Sequence, residues 1–245
     1  MTTRIAVELR AGRHRTTVSA GLLRAQVVHG PSDRVRIGLL ATTALLLGGD
    51  EVDLEIDVGP GCTVELFDVA ATVAYDGRGR GAAWRSRVVV AEDARLRWSG
   101  EPLVVSDGAQ VLRTLEVDLA TGAVALLRET MALGRHGEQG GTVLNRTRVR
   151  RAGDDVMVED QHLVAGSRRR PGMLGRHRVI DTVTSFGLEL PDAPGDSCRF
   201  ALVEEGSSMV RYLGQELASS PLHELWREAI LPTEIWTPSW DSHRT

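Results

Sequence analysis

Val52-Asp53-Leu54-Glu55-Ile56-Asp57-Val58 alternates apolar and acidic residues without a break. A period of two places Val52, Leu54, Ile56 and Val58 on one face and the three carboxylates on the other, as on a half-buried strand. Gly48-Gly49-Asp50 stands before this run and Gly59-Pro60-Gly61 after it, both turn-forming clusters. The same rhythm recurs outward in both directions. Ile5–Leu9, Leu22–Val28, Val35–Leu40 and Thr63–Phe67 read as strands, as do Trp84–Val90, Arg95–Trp98, Val111–Leu119 and Val124–Leu127. Thr142–Val149, Asp155–Glu159, Val179–Phe186, Cys198–Val203 and Met209–Leu213 complete the series. Many short strands separated by Gly, Pro and Asp turns predict an all-β protein, with sandwich, barrel and solenoid all open on pattern alone. No internal repeat is evident.

One helix stands out. Ser220-Pro221 supplies a cap and a proline for the first helical position, Leu222, Leu225, Trp226 and Ala229 share a face, and Pro232 ends the run. Trp226, Trp236 and Trp240 crowd the C-terminal segment of a chain with 4% aromatic residues. They serve either as packing for the helix or as anchors for a partner protein.

The composition excludes several functions. The chain has 245 residues, enough for a single domain spanning 1–245, with 42% hydrophobic content. No apolar run approaches the ~18 residues of a membrane span, and the N-terminus lacks the apolar core of a signal peptide, so the expected location is cytoplasmic. All 29 basic residues are arginine. Without lysine there is no Walker P-loop, Schiff base or Ser-x-x-Lys nucleophile. A net charge of -4 speaks against nucleic-acid binding. Cys62 and Cys198 form no pair and are expected to be small buried residues. The seven histidines form no His-x-x-x-His or His-Glu-x-x-His pair, so a tight zinc centre is not expected.

The carboxylates remain. Asp53, Glu55 and Asp57 belong to the wet face of their strand. Asp50 follows two glycines and suits a turn, whereas Asp68 and Glu129 break the local alternation and suit inward positions. His136 and Glu138 lie in a glycine-rich stretch that favours a turn over metal contact. Asp107 and Asp160 are weaker candidates. Loosely held oxygen ligands suit an ion that must leave again. The segment Gly166 to Arg176 is expected to be a mobile loop, and its run Arg168-Arg169-Arg170 reads as a solvated charge run, with contact to phosphate or an acidic partner as the alternative.

Several of these pieces carry a resemblance. The Gly48-Gly49-Asp50 start, Ala70-Ala71-Thr72 with Tyr75, Glu101-Pro102-Leu103-Val104-Val105 and Gly134-Arg135-His136-Gly137-Glu138 follow one another in a familiar order. Together with Val210-Arg211-Tyr212-Leu213-Gly214 and Leu225-Trp226-Arg227, they resemble the urease accessory protein family called UreD, or UreH, over roughly Leu22 to Trp236. The glycine segment is contracted, and Ala74 stands where the family commonly has lysine. The resemblance implies a two-sheet, right-handed β-helix-like stack of many short strands with short C-terminal helices. It also implies a non-enzymatic scaffold that binds the F-type accessory protein, the G-type GTPase and apo-urease. No cofactor is bound tightly on this reading; Ni²⁺ is cargo in transit. The carboxylates assigned to its path are Asp50, Asp68, Glu129 and Glu138. No membrane or nucleic-acid partner is expected. The rival readings are a carbohydrate-active enzyme using two carboxylates on a β-solenoid, and an interaction module indifferent to metal.

Overall fold

The alternating run at 52–58 becomes a strand whose apolar residues are all about 1% exposed. The computed structural model of the chain describes residues 2–230. Its strands are β1 (Thr3–Arg10), β2 (Arg13–Ser19), β3 (Leu23–Val28), β4 (Val35–Ala41), β5 (Glu51–Val58) and β6 (Thr63–Asp68). Next come β7 (Thr72–Ala74), β8 (Ala82–Val90), β9 (Arg95–Ser99), β10 (Leu103–Val105), β11 (Gln110–Leu119) and β12 (Val124–Leu133). The series ends with β13 (Thr142–Arg151), β14 (Asp154–Leu163), β15 (Val179–Phe186), β16 (Cys198–Ala201), β17 (Ser208–Gly214) and helix α1 (Leu222–Glu228).

From β5 to β13 the chain winds between two facing sheets. β5, β8, β11 and β13 are parallel neighbours in one sheet; β6, β9 and β12 are parallel neighbours in the other. The short β7 and β10 pair in parallel beside the end of β12 and form a narrow third side. This is a β-solenoid-like stack, and it settles the choice left open by the strand pattern. Antiparallel hairpins close it at both ends: β1–β2 and β3–β4 on one side, β13–β14 and β15–β17–β16 on the other. The full orders are β14-β13-β11-β8-β5-β1-β2 and β16-β17-β15-β12-β9-β6-β4-β3.

The winding is a repeat in space that the sequence conceals. Val52, Trp84, Arg113 and Asn145 occupy equivalent heights on successive turns, yet share neither size nor polarity. The turns also differ in length, because the stretch from Val52 to Trp84 exceeds that from Trp84 to Arg113.

Three strands were not legible. β2 is polar and exposed along most of its length, so no apolar period marks it. It exists because Ala11 and Gly12 both adopt positive φ (50° and 71°) and turn the chain back on β1. β7 and β10 have only three residues each.

The sheets enclose the main core, with Ile5, Ile37, Leu54, Ile56, Leu66 and Leu96 fully buried. A second core lies on the outer face of β12, β15 and β17, where α1 covers Leu126, Val183 and Val210. β15 is therefore buried at every position, as expected of a strand covered on both faces. Ser220 has extended dihedrals, and its Oγ accepts the Leu222 N–H at 3.2 Å, so it caps α1 as its sequence predicts. Trp226 is 8% exposed, and the Arg97 guanidinium lies 4.2 Å from its ring centroid. This tryptophan packs the helix; Pro232, Trp236 and Trp240 lie outside the described residues. Asp181, fully buried under the helix, fastens the arrangement. It accepts from Arg128 (3.1 and 2.8 Å), Thr130 (3.0 Å) and Ser220 (2.6 Å).

Two expectations need correction. Cys62 is buried, but Cys198 is exposed because β16 is an edge strand with little above it. The segment Gly166 to Arg176 is not a solvated loop throughout. Successive backbone hydrogen bonds (Arg170 N to Ser167 O, Met173 N to Arg170 O, Gly175 N to Arg168 O) fold it into turns, and Arg168 is buried.

Candidate functional site

In the winding strands, alternate residues point between the sheets, and for most of their length those positions are apolar. At one height they are not. In the first sheet a cross-strand row runs Trp84, Arg113, Asn145, Gln161. In the facing sheet Glu129 pairs with Thr182, and Thr182 with Arg211. Asp68 and Gly100 continue that row one residue beyond the registered pair Phe67–Ser99. A polar layer thus crosses the stack from turn to turn.

The layer is hollow. A cavity of about 150 Å³ opens beside Leu40, Ala41 and Val69–Thr72 and reaches Asp68 and Trp84. Asp68, Thr72 and Trp84 also line a small cavity of about 20 Å³ with Glu101, Arg113 and Glu129. Arg113 and Glu129 continue into another of about 20 Å³, with Asn145, Glu159, Gln161, Thr182 and Arg211. Arg211 in turn borders a surface groove of about 550 Å³ among His177, Cys198, Phe200, Tyr212 and Glu216. Each cavity shares lining residues with the next. Together they form an interrupted corridor, a series of separate chambers running from between the sheets to the surface, whose inner members hold roughly one water each.

Asp68 sits in the first chamber. Its carboxylate accepts the Trp98 indole N–H at 3.4 Å and the Glu101 backbone N–H at 3.2 Å. Burial pushes its pKa up to about 6, against the opposing pull of those donors and of Arg113. Glu129 is ion-paired to Arg113, which also donates to Asn145 Oδ1 at 3.2 Å. Asn145 in turn donates to Gln161 Oε1 at 3.4 Å. Beyond, Arg211 grips Glu159 with two bonds of 2.7 Å and reaches Thr182 Oγ1 at 3.1 Å. Two Arg–Glu pairs thus stand across the narrow part of the corridor. Its carboxylates (Asp68, Glu101, Glu129, Glu159) outnumber its guanidiniums (Arg113, Arg211).

The structure therefore brings together Asp68 and Glu129. Asp50 and Glu138 line none of these cavities. Asp50 Oδ2 accepts the Leu47 N–H at 2.9 Å and closes a turn. Glu138 is clamped by Arg135 through its backbone N–H (2.8 Å) and guanidinium (2.8 and 2.5 Å), which lowers its pKa to about 2. Both belong to the corner where successive turns of the stack re-enter the first sheet. There Asp107 Oδ1 also accepts the N–H groups of Gln139 and Gly140. Asp160 is on the surface, 3.3 Å from Arg146. Among the described residues no three His, Cys, Asp or Glu side chains converge as a metal site would.

Arg113, Asn145, Glu159 and Arg211 were not singled out from the sequence, although a signal existed. In β11 the inward positions are Val111, Arg113, Leu115, Val117 and Leu119, and in β13 Val143, Asn145, Thr147 and Val149. A polar residue at an inward position, on consecutive turns, is the pattern to seek.

Comparison with known proteins places the sequence in a family. The family model for the UreD urease accessory protein matches residues 3–230. The chain belongs to the UreD family. The chain is 42% identical over 232 residues to urease accessory protein UreD 1 of Streptomyces griseus, covering 91% of this chain and 90% of the relative. It is 31% identical over 204 residues to urease accessory protein UreD of Streptomyces coelicolor, covering 79% and 77%. Membership of UreD supports a role in urease maturation, and the relatives are named as accessory proteins. Among the described residues no helix is long and apolar enough to cross a membrane.

Proposed function

We propose that this UreD chain is a maturation scaffold that binds the F-type and G-type urease accessory proteins and apo-urease in the cytoplasm and passes nickel toward the urease active site. The corridor between the sheets carries this reading. It offers carboxylate oxygens one after another, at Asp68, Glu129 and Glu159, without gathering them into a cage that would hold a divalent ion. Oxygen ligands in series favour transfer over storage. The nickel ion is cargo rather than a resident cofactor. In the form described here the inner chambers are closed by the Arg113–Glu129 and Arg211–Glu159 pairs, so an ion advances only as each carboxylate exchanges its arginine for the metal. Asp68 and Glu129 are the proposed path residues, and Asp50 and Glu138 are proposed to shape the corner instead.

The test is co-expression of the tagged chain with F-type and G-type accessory proteins and apo-urease from the same genome, followed by pull-down, sizing and nickel analysis of the urease. The expected result is a stoichiometric complex. Glu129→Gln should leave that complex intact and lower the nickel bound by urease. A monomer that ignores all three partners would overturn the scaffold reading, and full nickel loading by the variant would overturn the path.

A further inference from the structure

The segment joining β14 to β15 carries Arg168, Arg169, Arg170, Arg176 and Arg178 in a chain whose net charge is -4. None of the five has a carboxylate at ion-pair distance among the described residues; the nearby Glu138 is held by Arg135. Arg168 is the unusual member. It is only 9% exposed, and its Nη2 donates to Gln139 Oε1 at 3.3 Å. Its Nε and Nη1 are buried with no partner, as is Nε of Arg178. Arg178 Nη1 donates to the Arg135 carbonyl at 3.1 Å. Burial and the charges of Arg169 and Arg178 press the Arg168 pKa downward, yet a guanidinium stays protonated in proteins. A buried cation without a counter-ion is costly, and the remedy available to arginine is an anion that matches its planar fork.

Room for one lies alongside. Arg169, Gly175, Arg176 and Gln215 line an open basin of about 600 Å³. Gly175 on its wall donates its N–H to the Arg168 carbonyl at 2.9 Å, so the basin adjoins the backbone of Arg168. We propose that this arginine segment is an oxyanion-binding site, in which Arg168, Arg169 and Arg178 take up a carboxylate or phosphate group. The group comes either from a free anion or from an acidic side chain of a protein partner. Gln215 also borders the groove at the end of the corridor, so a bound acidic partner would stand at that opening. The site stands on its own whether or not the corridor carries nickel.

Two probes test it on the full chain, or on its co-purified complex. One is inorganic phosphate, read as a shift in thermal midpoint against sodium chloride of equal ionic strength. The other is an end-blocked, fluorescent tetraglutamate peptide, read by anisotropy. At least one should bind saturably, and Arg168→Gln should weaken it about tenfold or more, the order of a lost charge-assisted pair. Arg24→Gln, at an exposed arginine on β3, should change nothing. Phosphate binding without peptide binding identifies a free anion, and tighter peptide binding a protein-borne carboxylate. No binding of either probe beyond the salt control, or equal weakening by Arg24→Gln, would overturn the site. If Arg168→Gln fails to fold, Arg169→Gln on the basin wall must show the loss, and its absence there overturns the proposal equally.

Discussion

Asp68→Asn should make this protein more stable at neutral pH. Asp68 has its pKa raised from 3.8 to about 6, chiefly by burial. A carboxyl whose pKa rises on folding favours the native state while protonated and disfavours it when ionised. The contribution is therefore neutral below the unfolded value and turns against folding as pH climbs through the interval to 6. At about 1.4 kcal/mol per unit the shift corresponds to roughly 3 kcal/mol above pH 6. Residual solvent access at this half-buried side chain trims that to about 2 kcal/mol. Asparagine abolishes the charge and keeps one oxygen, enough for one of the two donors, because Trp98 bonds Oδ1 and Glu101 bonds Oδ2. For a domain of this size, about 2 kcal/mol corresponds to a midpoint rise of roughly 4–8 °C. Thermal unfolding of both proteins from pH 4 to pH 8, followed by circular dichroism, measures it. The gap should be full at pH 8 and vanish near pH 4. A variant no more stable than wild type at pH 8, or a gap independent of pH, would refute the burial argument. A costly carboxylate retained at this position fits a functional residue, and the same variant is expected to impair nickel delivery while improving the fold.

Other perturbations address the frame around the corridor. Asp181→Ala leaves the Arg128 guanidinium buried without its counter-ion, at a cost of about 3–5 kcal/mol; denaturant unfolding should show it, and Arg128→Met in the same chain should restore much of the loss. Gly48→Ala would place a Cβ 2.5 Å from the Gly77 Cα, where two turns of the stack meet. The overpacking should cost about 1–3 kcal/mol, read as a lowered thermal midpoint, while Gly12→Ala at the open β1–β2 turn should suffer only backbone strain. Arg135→Ser releases the clamp on Glu138, whose titration by NMR should then move up from about 2 toward the ordinary carboxylate value.

The sequence by itself determined the all-β class, most strand positions, the cap of α1 and the absence of lysine chemistry. These are local matters: a period of two, a Ser-Pro pair and a missing residue type are complete within a few positions. The ordered motifs also carried the UreD resemblance. Asp68 and Glu129 were legible as inward carboxylates because each breaks the alternation of its own strand; Asp50 and Glu138 were assigned to the ion path with them, although the glycines that flank both already suited turns. Only the tertiary structure decided that Asp68 and Glu129 share one corridor, and that Arg113, Asn145, Glu159 and Arg211 complete it. The reason is the parallel winding. Hydrogen-bonded register between successive turns aligns residues some thirty positions apart, and this step varies from turn to turn. No local period records it. The burial of Arg168 was hidden likewise: its run reads as a solvated loop until the backbone turns fold one of its arginines against Gln139.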